Sequence, residues 1–330
     1  MTDTHRSRIQ DIQRDLENHI QQLDFGSQPK ELYEPIAYLM GLGGKRIRPL
    51  LTLLAYTLYR EDYQKILTPA VAVEVFHNFT LMHDDIMDNA PLRRGKATVH
   101  EKWDANTAIL SGDVMMVRAY DMLLEVASDQ LAVCMKHFNR TAAEVCEGQQ
   151  LDMNFESREA VSEREYLDMI RLKTAVLLGF SLQYGALLAG APEEDVQRLY
   201  DFGVSIGIGF QLKDDLLDVY ADKAKFGKQV GGDIIANKKT YLLIKAKELA
   251  TSNEAEELRH WENAVGFDKE EKVKAVTALY DRLGIRKLTE SKMEAYFAKG
   301  FEQLDQLHPH HQSALHGLRL LAEELIDREN

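Results

Sequence analysis

Two stretches decide the fold, Phe202–Asp218, FGVSIGIGFQLKDDLLD, and Ala72–Asp88, AVEVFHNFTLMHDDIMD. Reading backwards in fours from Asp214 gives Phe210, Ile206 and Phe202, and the same step from Asp84 gives Thr80, Phe76 and Ala72. Positions four apart lie about 40° apart on one helical face, so each row is a mostly apolar stripe that ends in carboxylates. Proline placement extends the reading. Between Pro91 and Pro309 only Pro192 intervenes, and long proline-poor stretches with a helical apolar period point to consecutive helices. No alternating strand runs joined by Asn-Gly or Asp-Gly turns are visible, and no phosphate-loop or dinucleotide fingerprint follows a strand. The expected fold is all-α.

Helices are expected over residues 5–23, 30–40, 48–59, 68–88, 103–127, 130–155, 163–189, 193–221, 239–249, 269–283 and 290–325. The segment Thr251–Asp268 is polar and reads as irregular. With no linker and no low-complexity tract, residues 1–330 read as one helical domain. Its motif-bearing core covers about residues 30–250, and the C-terminal helices over 251–330 carry no evident chemistry.

Hydrophobic residues make up 45% of the 330, enough for a sizeable core. The formal net charge is -13, which argues against a nucleic-acid partner and gives no reason for attraction to an anionic membrane. Two cysteines, Cys134 and Cys146, lie outside any CxxC pattern and read as reduced thiols of a cytoplasmic protein. The polar N-terminus is no secretory signal. The most apolar stretch, Ala175 to Ala191, is interrupted by Ser181 and Gln183 and is expected to be a buried helix rather than a membrane span.

Asp84, Asp85 and Asp88 form one DDxxD pattern, and Asp214, Asp215 and Asp218 form a second. Like charges one turn apart repel, and carboxylates that continue a core-facing row are costly unless cations or metal meet them. A solvated acidic surface does not explain two such rows. Hard Mg²⁺, bridging carboxylates to phosphate oxygens, does. Basic elements alternate with the acidic ones: Lys45, Arg46 and Arg48 in GLGGKRIRP (41–49), Arg93 and Arg94 just past the first cluster, Lys173 in an apolar helix, and Lys228 and Lys238 after the second cluster. The glycine-flanked bases suit a phosphate cradle.

In this order and spacing, GGKRIRP, HDDIMDNAPLRRG, GQQLD (148–152), Lys173-Thr174, GFQLKDDLLD and GKQVGGDIIANKKT resemble the trans-isoprenyl diphosphate synthases, or polyprenyl synthetases, over roughly Leu42 to Thr240. The resemblance implies the isoprenoid synthase fold, a helical bundle around a large central cavity, and a homodimer. It implies that Asp84, Asp88 and Asp214 ligate Mg²⁺, three ions per site, bridging an allylic diphosphate. Asp85, Asp215 and Asp218 would complete the clusters, with Asp152 nearby. Arg93, Lys173, Lys228 and Lys238 would hold the same diphosphate, and Thr174 and Gln211 would border the reacting carbon. Lys45, Arg48, His77 and Arg94 would hold isopentenyl diphosphate. The implied reaction is ionisation of the allylic C–O bond, attack by the double bond of isopentenyl diphosphate, and proton loss to a pyrophosphate oxygen.

Product length is expected to depend on Phe76, Phe79 and Thr80 upstream of the first motif. At a rise of about 1.5 Å per residue, Phe79 and Phe76 stand about 7.5 and 12 Å from Asp84 along the helix. In the family, an aromatic residue five before the motif marks short-chain enzymes. Thr80 departs from the paired aromatics of animal-type farnesyl synthases, and the first motif lacks the two-residue insertion of bacterial farnesyl enzymes. Geranylgeranyl diphosphate is therefore expected first and farnesyl diphosphate second. A class I terpene cyclase would share the helical fold and one DDxxD but would need no second diphosphate site. A non-catalytic subunit would have lost one cluster, and an acidic Ca²⁺- or Mg²⁺-binding scaffold would not explain the matched cations.

Overall fold

The computed structural model describes residues 2–221 and 230–327, and the side chains from residue 5 onward within them. Its helices are α1 (Thr2–Gln21), α2 (Lys30–Gly41), α3 (Ile47–Thr57), α4 (Leu67–Met87), α5 (Val99–Lys102), α6 (Ala105–Leu123), α7 (Ser128–Ser157), α8 (Glu163–Ile170), α9 (Val176–Ala189), α10 (Glu193–Tyr220), α11 (Gly232–Ile235), α12 (Tyr241–Leu249), α13 (Ser252–Asn263), α14 (Lys269–Arg282), α15 (Ile285–Asp305) and α16 (Gln312–Asp327). A 3₁₀ turn covers Tyr63–Ile66, and a π-turn, Arg171–Ala175, joins α8 to α9. Among the described residues the regular structure is helical apart from one small antiparallel hairpin, β1 (Leu92–Arg93) and β2 (Lys96–Ala97), with Leu92 paired to Ala97 and Arg93 to Lys96. Its two-residue turn, Arg94-Gly95, has both φ angles positive, which matches the twist of the strands.

Two compact units interleave along the chain. The first comprises Met1–Arg140, Phe180–Tyr200 and Leu307–Leu320; the second comprises Thr141–Gly179, Asp201–Gln306 and Leu321–Asn330. In the first, α4 packs chiefly against α6 and α3, around an aromatic cluster in which Phe138 meets Phe76 and Tyr120 edge-on, each at 5.1 Å, and Phe180 stacks on Tyr184 at 5.2 Å. In the second, Leu216 and Val219 of α10 pack with Leu242, Leu258, Val276 and Leu279.

Two helix limits differ from the sequence reading, each for a local reason. Residues 251–268 contain α13, begun by a capping box in which Thr251 and Glu254 each bond the other's backbone N–H. Its sole buried side chain, Leu258, gives no apolar period. The expected helix over 290–325 is two, α15 and α16, because Pro309 lies in the connection and cannot donate to a helical ladder. The expected helix over 163–189 is present; Glu163–Ala189 is long and apolar enough to cross a membrane, but most of it is buried in the protein, as in a core helix.

Candidate active site

In the first unit, α4 carries the first aspartate cluster on its last turn. Left-handed Asn89 then turns the chain through Pro91 into the hairpin. The hairpin delivers Arg93 onto Asp85, which is buried. Arg93 Nε donates to both carboxylate oxygens at 2.9 and 2.8 Å, and Nη2 donates at 2.6 Å. This forked pair occupies Asp85, while Asp84 is half-buried and Asp88 exposed. The three carboxylates are therefore not equivalent.

Next to it the same unit gathers cations. Left-handed Arg46 (φ 47) starts α3, is buried, and donates to Glu74 Oε1 at 2.9 Å and to the Met40 carbonyl at 2.6 Å. Asn78, fully buried one turn along α4, also donates to Glu74 Oε1, at 3.2 Å. Arg94 donates to the Gly43 carbonyl and lies over Gly44, where a Cβ would stand 2.9 Å from its guanidinium. Burial lowers the Arg48 pKa to about 10, against the pull of Glu74 and with Arg94 adding to the lowering. Its Nε has no hydrogen-bond partner among the described residues. Burial, then Arg48, Arg94, Arg93 and Arg46, holds His77 well below the usual histidine range, so the ring is neutral near pH 7. Guanidinium groups around a neutral imidazole, balanced by Glu74, make an anion site. Exposed Lys45 lies in the same loop.

In the second unit, the π-turn places Lys173 and Thr174. Such turns put an extra residue into a helix and re-aim its side chains. It can form here because glycine flanks it on two helices. A Cβ on Gly148 of α7 would stand 2.1 Å from Lys173 N, and one on Gly207 of α10 would stand 2.7 Å from Ala175 Cα. One turn beyond Gly148, Asp152 receives Lys173 Nζ at 2.5 Å. The GQQLD motif thus joins a close approach and an ion pair at i and i+4. Half-buried Gln211 stands one turn beyond Gly207.

The second aspartate cluster is tied to the connector that follows it. Buried Asp215 accepts from Tyr166 Oη at 2.6 Å and from the Tyr241 N–H at 3.3 Å. Half-buried Asp218 accepts from the Asp233 N–H at 3.0 Å, at the start of α11. Burial raises Asp215 to about 7, with Asp233 adding and the Tyr166 hydroxyl opposing. Burial also raises Asp218, reinforced by Asp233, and raises Asp233 itself, opposed by Lys238. Asp214 and Lys238 are exposed. Carboxylates crowded against burial and one another call for cations.

These donors fit Mg²⁺ in kind, since hard carboxylate oxygens suit a hard cation. Among the described residues, however, no three acidic, histidine or cysteine groups cluster as a metal site. The structure thus brings Lys45, Arg48, His77, Asp84, Asp85, Asp88, Arg93 and Arg94 into one unit. It brings Asp152, Lys173, Thr174, Gln211, Asp214, Asp215, Asp218 and Lys238 into the other. Lys228 lies outside the described residues. Phe76 and Phe79 are buried against each other at 5.6 Å, with Phe79 also 4.7 Å from His83, and Thr80 Oγ1 donates to the His77 carbonyl at 2.8 Å. Sequence reasoning missed Glu74 and Tyr166, and gave Gly148 and Asp233 no role of their own within the motifs that contain them. Glu74 one turn before His77 and Gly148 one turn before Asp152 were the available signals.

Residues 29–282 match the polyprenyl synthetase family model. The chain is 45% identical over 224 residues to the geranylgeranyl diphosphate synthase of Methanosarcina mazei, covering 67% of this chain and 69% of that one. The crystal structure of geranylgeranyl pyrophosphate synthetase from Pyrococcus horikoshii superposes with a TM-score of 0.91 at 32% identity over 99% of each chain. That of polyprenyl synthase from Caulobacter crescentus, complexed with calcium and isoprenyl diphosphate, superposes at 0.82 with 28% identity, covering 99% of this chain and 96% of that one. On the extent of these matches and the motifs in place within them, the chain belongs to the polyprenyl synthetase family and is a prenyltransferase with the all-α isoprenoid synthase fold.

Proposed function

We propose that this protein adds isopentenyl diphosphate head-to-tail to an allylic diphosphate, giving a short-chain all-trans prenyl diphosphate, geranylgeranyl first and farnesyl second. The observation that carries the reading is the cluster of Arg46, Arg48 and Arg94 around neutral His77, in the unit that also bears Asp84 and Asp88. A cyclase, which handles one diphosphate, has no use for that second anion site.

In this reading Lys45, Arg48, His77 and Arg94 hold isopentenyl diphosphate. Asp84 and Asp88 in one unit, and Asp214 and Asp218 in the other, would hold divalent cations, three Mg²⁺ in all, for the allylic diphosphate. When bound, Mg²⁺ neutralises the departing diphosphate and so favours ionisation of the allylic C–O bond. Lys173 and Lys238 meet the remaining charge, and Lys228 is assigned the same role. Thr174 and Gln211 border the allylic carbon. The double bond attacks that carbon, and a pyrophosphate oxygen takes the proton. Asp85 acts through Arg93, and Asp215 through Tyr166 and the Tyr241 amide. Product length is assigned to Phe76, Phe79 and Thr80.

We also assign a cytoplasmic homodimer. The outward row of Leu110 and Val117 on α6 and Leu124 at its C-cap, exposed by 58, 58 and 53% at seven-residue spacing, is the kind of apolar stripe a second copy covers. Omitting isopentenyl diphosphate tests the function. The synthase leaves an allylic diphosphate unextended, whereas release of a hydrocarbon from it identifies a cyclase.

A further inference from the structure

Lys272 of α14 is the buried cation that the reaction does not use. It is 1% exposed, and its ammonium has neutral partners: the Asn237 side-chain oxygen at 2.7 Å, the Ile235 carbonyl at 3.4 Å and the Phe267 ring at 4.3 Å. Glu262, the carboxylate that acts on it through space, is itself ion-paired to Lys247 at 2.6 Å. An ammonium taken out of water without a carboxylate in contact is expensive, so its local effect is the place to look.

That effect falls on the connector Gly231–Tyr241. The second aspartate motif pins both ends, Asp218 accepting from the Gly231 N–H on its main-chain carbonyl and from the Asp233 N–H on its carboxylate, and Asp215 accepting from the Tyr241 N–H. Between these pins the chain makes a left-handed turn at Asn237 (φ 53), immediately before Lys238. Asn237 uses both ends of its amide, its oxygen toward Lys272 and its nitrogen donating to the Glu262 carbonyl at 2.9 Å. Next to Lys272, Val273 closes over Gly231, where a Cβ would stand 2.5 Å from it. Helices α13 and α14, which showed no chemistry in the sequence, thus bracket the connector.

We propose that Lys272 is a positioning residue. Through Asn237 it fixes the turn that presents Lys238, and with it the Asp233 amide on Asp218, so that the C-terminal helices set the affinity for the allylic diphosphate. This rests on the assignment of Lys238 and Asp218 to that substrate.

The test uses full-length protein carrying Lys272→Met or Asn237→Gly, the second keeping a left-handed turn available while removing the amide. Each raises the KM for farnesyl diphosphate on the order of tenfold, leaves the KM for isopentenyl diphosphate within about twofold, and adds nothing further in the double variant. Hydrogen exchange without substrate is faster in residues 231–241 and unchanged in 285–305. An unchanged farnesyl diphosphate KM in a folded variant, equal shifts in both KM values, or unchanged exchange in 231–241 overturns the proposal. Faster exchange in variants of an inactive wild type upholds the bracket and removes the assigned function instead.

Discussion

Replacing Gly148 with alanine tests how the site is built. The added Cβ would stand 2.1 Å from Lys173 N and 2.5 Å from its Cα, and ordinary contact begins at 3.4 Å. The two backbones must therefore part by at least about 1.3 Å. The obstacle is main chain on both sides, so no rotamer change relieves it. Overpacking of this kind costs about 1–3 kcal/mol of stability. The larger effect falls on catalysis, because the part that moves is the π-turn holding Lys173 and Thr174, and a displacement of about 1 Å in a positioning element lowers rates on the order of 100-fold. Steady-state kinetics with labelled isopentenyl diphosphate, beside thermal unfolding of the same preparation, separates the two. A folded Gly148→Ala protein with kcat within about threefold of wild type would refute the claim that this glycine sets the π-turn.

Further outcomes follow from the first unit. Glu74→Gln removes the counter-charge of buried Arg46, which keeps the Met40 carbonyl and the more distant Glu17 at 3.8 Å. Unfolding free energy should fall by about 3 kcal/mol, the lower end of what breaking a buried pair costs, and chemical denaturation reads it. His77 has a depressed pKa, so between its folded and unfolded values the unfolded chain binds the extra proton and stability rises with pH, reaching its full value above about 6.5. Wild type should therefore lose more stability than His77→Asn between pH 7.5 and 5.5, and equal losses would count against a neutral ring. Phe79→Ala combined with Phe76→Ala should lengthen the product, with a loss of about 3–5 kcal/mol for each deleted ring; unchanged chain length places the stop elsewhere. Calorimetry should find Mg²⁺ binding weak alone and strengthened by inorganic pyrophosphate, because the described residues hold no complete ligand set.

Much of this was legible in the residues because it depends on period and charge. The rows beneath Asp84 and Asp214 gave both helices, and their continuation into carboxylates gave the chemistry. Phe79, about 140° round the wheel from Asp84, is turned against His83 and Phe76, as that angle implies. The π-turn was not legible, since Arg171–Ala175 reads as ordinary helix and departs from it where glycines on α7 and α10 come close. The pairing of Asp85 with Arg93 was likewise hidden, because the hairpin that swings Arg93 back onto α4 has no alternating pattern. Asp233 and Lys272 depend on tertiary hydrogen bonds across tens of residues, and spacing carries no trace of those.

The most direct measurement is the size of the alcohols obtained by dephosphorylating the products of farnesyl diphosphate, isopentenyl diphosphate and Mg²⁺ with this protein. The account predicts a twenty-carbon alcohol as the main product, formed only with Mg²⁺ and isopentenyl diphosphate together. No elongation of farnesyl or any shorter allylic diphosphate in the presence of Mg²⁺ would contradict it.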